Sequence, residues 1–169
     1  MAGRVGITLA IAASLLAVAL VVRTSTRETE PRVKANLAFR LEDMNGAKID
    51  LASYVGKPLV INLWATWCGP CRLEMPQLVD LAAKYKDKGL QVVGISVDDK
   101  PDDIRQFAAE YKVTYPMLVG LGQDALLNSL GYEGSVPISV LIRADGTIGS
   151  VLQGITTTDD WEKRIKGLF

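Results

Sequence analysis

The sequence predicts a mixed α/β sandwich: a parallel βαβ core with helices on its faces, closed by a hairpin and a last helix. Three observations carry this. Leu59 to Ala65 and Leu90 to Val97 are nearly continuous apolar runs, as expected for strands buried on both faces. Pro70 to Lys86 and Pro101 to Tyr111 place apolar residues at helical spacing. Near the end, Asp145-Gly146 separates two apolar runs and signals an antiparallel hairpin.

Taken in order, Ala38 to Asp43 and Ala47 to Leu51 flank Asn45-Gly46, so they form an opening hairpin. The strand Leu59 to Ala65 follows. The helix Pro70 to Lys86 aligns Leu73, Leu78, Leu81, Ala82 and Tyr85, and Gly89 stops it. Pro76 lies inside this helix and should kink it, because it returns no N–H to the Arg72 carbonyl. After the strand Leu90 to Val97, the helix Pro101 to Tyr111 opens on Asp102 and Asp103, which suit a helix N-terminus. Tyr115 to Val119 is a short strand or extended loop, and Asp124 to Leu130 a short helix. Val136 to Arg143 and Thr147 to Leu152 form the closing hairpin. Trp161 to Leu168 is the last helix, capped by Thr158 or Asp159.

Composition narrows the function. The chain has 169 residues, room for one domain and an appendage. Its 19 basic and 19 acidic residues cancel, which argues against a nucleic-acid-binding surface. No histidine is present, which removes serine–histidine and cysteine–histidine catalysis and histidine metal sites. The only cysteines are Cys68 and Cys71, too few for a Cys/His zinc site within one chain.

The amino terminus reads as a separate element. Val5 to Val22 is an uncharged run of roughly 27 Å as a helix, close to the thickness of a bilayer core. Residues 1–23 are therefore a signal anchor, or a signal peptide cut after Ala17-Val18-Ala19. Residues 24–36 read as a linker and 37–169 as the domain. The basic residues Arg23, Arg27, Arg32 and Lys34 would by themselves place the domain inside the cell. The redox chemistry below argues for the opposite side.

The chemistry lies in Trp67-Cys68-Gly69-Pro70-Cys71, at the turn from a buried strand into a helix. Cysteines at i and i+3 neighbour each other on the first helical turn and can close a disulfide. The first cysteine meets unpaired N–H groups and the positive end of the helix dipole, which stabilise its thiolate. It can attack a disulfide in another protein, and the second cysteine then resolves the mixed disulfide. A structural disulfide with two intervening residues closes so small a loop that it would add little stability.

These residues resemble the thioredoxin superfamily and, more closely, the membrane-anchored TlpA/ResA-like thiol–disulfide oxidoreductases. The likeness covers Leu37 to Phe169. It rests on an ordered set: Gly56-Lys57-Pro58, VINLWATWCGPC, Glu74 and Pro76 in CRLEMP, QVVGISVDD, Val136-Pro137 and Asp145-Gly146. The resemblance implies a thioredoxin-like fold, a central mixed sheet flanked by helices, with an N-terminal β-hairpin extension and an N-terminal membrane helix. It implies protein-disulfide reductase activity on the outer face of the cell membrane. The substrates would be cysteine-containing proteins, such as apocytochrome c or copper-site proteins. Electrons would come from a membrane donor of the DsbD/CcdA type. No cofactor beyond the Cys68–Cys71 disulfide is implied, and a monomer is expected.

Carried over residue by residue, Cys68 attacks, Cys71 resolves and Glu74 is an active-site carboxyl. Trp67, Gly69, Pro70, Val136 and Pro137 form the substrate-binding surface, with Pro137 cis and the Val136 backbone offered to the partner chain. Two departures stand out. Asn62 occupies the place of thioredoxin's buried aspartate and cannot titrate, which shifts proton handling to Glu74. Ile138 stands where many relatives carry a small polar residue. Two alternatives are weighed. A peroxiredoxin has Thr or Ser three residues before its reactive cysteine, where this chain has Ala65. A redox-inactive binding module or metal chaperone is opposed by the lack of histidine and of a third cysteine. Trp64 and Trp161 are read as packing residues.

Overall fold

A computed structural model describes residues 33–169. The signal-anchor reading of residues 1–23 lies outside this range. Among the described residues no helix is long and apolar enough to cross a membrane.

The order of elements follows the expected alternation. A hairpin of β1 (Arg40–Glu42) and β2 (Lys48–Asp50) is followed by a 3₁₀ turn over Leu51–Tyr54. Then come β3 (Leu59–Trp64), α1 (Gly69–Tyr85), β4 (Gln91–Ser96), α2 (Pro101–Glu110), β5 (Met117–Val119) and α3 (Asp124–Ser129). β6 (Ile138–Ile142), β7 (Ile148–Gln153) and α4 (Thr158–Lys166) close the chain. The five-stranded sheet runs β5-β4-β3-β6-β7, with β3, β4 and β5 parallel and β6 and β7 antiparallel. The crossovers through α1 and α2 therefore join parallel neighbours, as βαβ geometry requires, while the connection through α3 carries the chain from β5 across the sheet to β6. Every residue of β3 and β6 is buried, which accounts for runs that are apolar except at Asn62 and Ser139.

Several boundaries differ from the sequence reading. β1 and β2 are shorter than the apolar pattern suggested. The Asp43 carboxylate accepts from the Asn45 and Ala47 backbone N–H groups, both at 2.8 Å, and so replaces ladder bonds with a side-chain turn. Asp50 likewise accepts from Ala52 N–H and ends β2 by capping the 3₁₀ turn. Val33 to Ala35, read as linker, bond to the closing hairpin: Ile148 N–H donates to the Val33 carbonyl and Ala35 N–H to that of Gly146. The last helix starts earlier than expected, and Thr157 caps it in place of Thr158 or Asp159, accepting from Asp160 N–H at 3.3 Å. Asp159 and Asp160 then fall in the first turn, where they favour the helix dipole. α1 runs through Pro76 without interruption, its proline on the exposed side.

Candidate active site

The end of β3 delivers the reactive segment. Trp64 is fully buried and packs its ring 4.3 Å from that of Phe107 on α2, consistent with its core reading. Gly94 on β4 makes room for it, since a Cβ there would stand 3.2 Å from Trp64 Nε1 and 2.5 Å from Met117 Sδ. With Trp64 and the buried Ala65 seated, Thr66 and Trp67 emerge and Cys68 becomes the N-cap of α1.

Cys68 and Cys71 form a disulfide with a sulfur–sulfur distance of 2.07 Å. The Cys71 backbone N–H donates to Cys68 Sγ at 3.1 Å. A helix N-terminus thus presents an N–H to the first sulfur, as it would to a thiolate. Pro70 lies in the same turn, where its missing N–H costs nothing. Exposure does not separate the two cysteines in this oxidised form: Cys68 is 3% exposed and Cys71 1%. Their distinction is one of bonding, and the N-cap position belongs to Cys68.

The Val136–Pro137 peptide bond is cis. The Val136 carbonyl lies 3.5 Å from Cys68 Sγ, so this turn faces the disulfide. Gly154 N–H donates to the Pro137 carbonyl at 2.9 Å and ties the turn to the end of β7. Ile138 is buried in β6 opposite Leu63. It is a core residue, and a partner could sense it only through packing. Around the disulfide, Gly69, Pro70 and Trp67 are exposed, Trp67 at 60% and Leu73 beyond them at 69%.

Two polar features lie behind the cysteines. Asn62 on β3 donates its amide to Ser139 Oγ on β6 at 2.9 Å, both residues buried. Neither can carry a proton near neutral pH. Glu74, one helical turn beyond Cys71, is 1% exposed. Burial pushes its carboxyl up to about 7. The Trp161 indole and the Thr156 backbone N–H pull the other way, but neither completes a hydrogen bond. Both Glu74 oxygens and Trp161 Nε1 are buried without a partner. Trp161 therefore packs, as expected, but packs against the site. Tyr115 donates its hydroxyl to Met75 Sδ at 3.0 Å, and burial followed by the Glu74 charge raises its phenol well above the usual range.

Sequence reasoning missed the carboxylates that hold the segment before Cys68. Asp99 accepts from Thr66 N–H at 2.7 Å, from the Thr66 hydroxyl at 2.5 Å and from the Ser96 hydroxyl at 2.6 Å. Asp98 accepts from Trp67 Nε1 at 3.0 Å. The available signal was an acidic pair directly after a buried strand, where solvated loop residues are the ordinary reading.

Comparisons with known proteins agree with this geometry. Residues 33–151 match the AhpC/TSA family. The thiol–disulfide oxidoreductase ResA of Oceanobacillus iheyensis is 36% identical over 121 residues, 72% of this chain and 62% of the relative. The chain thus spans less than two thirds of that relative. ResA of Bacillus thuringiensis is 33% identical over 128 residues, 76% of this chain and 73% of the relative. Among solved structures, a secreted Mycobacterium tuberculosis disulfide oxidoreductase described as homologous to E. coli DsbE superposes with a TM-score of 0.70 at 27% identity, covering 78% of this chain and 97% of that one. A thioredoxin-family thiol:disulfide interchange protein from Chlorobium tepidum superposes at 0.74 and 25% identity, covering 82% and 97%.

Proposed function

The chain belongs to the AhpC/TSA family, with ResA thiol–disulfide oxidoreductases as its homologues, and we propose that it reduces specific protein disulfides outside the cytoplasm. The observation that carries this is the Cys68–Cys71 pair at the N-terminus of α1, with Val136 beside the first sulfur. Starting reduced, the Cys68 thiolate attacks one sulfur of the substrate disulfide. A mixed disulfide forms and the other substrate sulfur leaves as a thiolate. Cys71, deprotonated, then attacks Cys68 Sγ, releases the second substrate sulfur and closes the Cys68–Cys71 bond.

The Val136 backbone pairs with an extended partner segment, and Trp67, Gly69 and Pro70 make the exposed surface against it. Glu74 supplies and takes the proton that Cys71 exchanges, since Asn62 cannot; a carboxyl raised to about 7 is poised for that at neutral pH. Substrates are cysteine-containing proteins, among them apocytochrome c or copper-site proteins. The protein works as a monomer, held at the membrane by residues 1–23, with electrons from a membrane donor of the DsbD/CcdA type. The peroxiredoxin alternative needs a hydroxyl where the buried Ala65 has a methyl.

The test is trapping in cells. Cys71→Ser should accumulate a mixed disulfide through Cys68 with a cysteine-containing extracytoplasmic protein, released by dithiothreitol. Absence of any such adduct, or adducts only with cytoplasmic proteins, would overturn the reading.

A further inference from the structure

The two residues before Cys68 have their polar groups held by three charged side chains. Thr66 gives its N–H and hydroxyl to Asp99, and its carbonyl accepts from Arg72 at 3.2 Å. Arg72 is itself held, bonded to Glu110 at 2.8 Å and 5.5 Å from the Phe107 and Tyr111 ring centroids. Asp99 is buried and anchored to Ser96 at the end of β4. The backbone entering Trp67 is thereby fixed on both sides.

The Trp67 side chain is held differently. With 60% of its surface exposed, packing does not set its orientation. Its single polar group is the indole N–H, and both oxygens of Asp98 lie 3.0 Å from Nε1. Asp98 is itself exposed, so water weakens this charge-assisted bond, but with packing absent it is the contact that sets the ring's angle beside Cys68. An exposed aromatic face held in advance offers a polypeptide a large contact without the entropy of ordering it on binding. A small disulfide that does not extend past the reacting sulfurs gains nothing from it.

We propose that Asp98 is a specificity-determining residue that, by orienting Trp67, favours polypeptide disulfides over small ones. This rests on the reading of Trp67 as part of the partner-facing surface. Asp98 acts through Trp67 and is a positioning residue.

The full chain, reduced with dithiothreitol and desalted, is mixed with insulin or with glutathione disulfide. In both reactions Cys68 and Cys71 lose two electrons and two protons to become a disulfide, and the substrate disulfide becomes two thiols. The readout is the ratio of the insulin rate constant to the glutathione one, which a general loss of folded protein does not move. Asp98→Ala should lower this ratio about five- to tenfold, the scale of a lost charge-assisted bond. Asp98→Asn, which keeps an acceptor for Nε1, should hold it within about twofold of wild type. Trp67→Ala should lower it as Asp98→Ala does, and combining the two should add no further loss. An unchanged ratio in Asp98→Ala, or a further loss in the double variant, would overturn the role of Asp98 while the Trp67 surface stands. An unchanged ratio in Trp67→Ala would overturn the partner-facing surface and this inference with it. Failure of wild type to reduce insulin faster than glutathione disulfide would overturn the preference for polypeptide disulfides, while the reductase reading is tested separately by the Cys71→Ser trapping.

Discussion

The Cys71 backbone N–H donates to Cys68 Sγ across 3.1 Å, so the second cysteine's amide already faces the place where a thiolate would form on the first. That contact, together with the N-cap position, favours a thiolate on Cys68 over one on Cys71 once the disulfide is reduced. Iodoacetamide applied to the reduced protein at mildly acidic pH should therefore modify Cys68 first, read by peptide mass spectrometry. Faster labelling of Cys71 would reverse the two roles.

Glu74 makes stability depend on pH with a definite sign. Its folded carboxyl titrates at about 7 against an unfolded value of 4.5, so between these values the folded protein holds a proton that the unfolded chain has released. Stability should fall as pH rises through this window, by roughly 3 kcal/mol at most for such a shift. Glu74→Gln should flatten the profile there and be the more stable variant at pH 8. Urea midpoints measured from pH 4.5 to 8 check this; parallel profiles for the two proteins would mean that Glu74 ionises freely. The same variant should alter the pH dependence of thiol reactivity, because Glu74 stands one helical turn from Cys71.

Asp99 joins Thr66 to Ser96 through three accepted hydrogen bonds. Asp99→Ala leaves the Thr66 N–H, the Thr66 hydroxyl and the Ser96 hydroxyl without their acceptor, and should cost about 3 kcal/mol. Asp99→Asn should recover part of it. Chemical denaturation measures the loss, and a change below about 1 kcal/mol would show that water replaces the carboxylate without penalty.

Much of this molecule is legible in its sequence, for reasons tied to particular residues. The buried strands β3 and β4 announce themselves because both faces are covered, leaving no polar alternation. The Cys68–Cys71 disulfide follows from a short motif whose geometry is local, whereas the cis Val136–Pro137 bond is expected only from the family resemblance. The Asp99–Thr66 bond spans 33 residues, and nothing near either residue signals the other. Trp161 read as packing because its indole gives no hint that a carboxyl from α1 would lie against it. The early end of β1 at Glu42 reflects Asp43 bonding its own turn, a side-chain competition that hydrophobic patterning cannot register.

The direction in which electrons flow is set by the reduction potential of the Cys68–Cys71 couple. Gly69-Pro70 is the dipeptide found in thioredoxin, and no histidine lies between the cysteines to stabilise the thiolate further. Equilibration against glutathione, with the oxidised fraction read by alkylation and mass shift, should give a potential close to that of thioredoxin, about −270 mV. A potential near that of DsbA, about −120 mV, would make the protein an oxidant and contradict the proposed reduction of substrate disulfides.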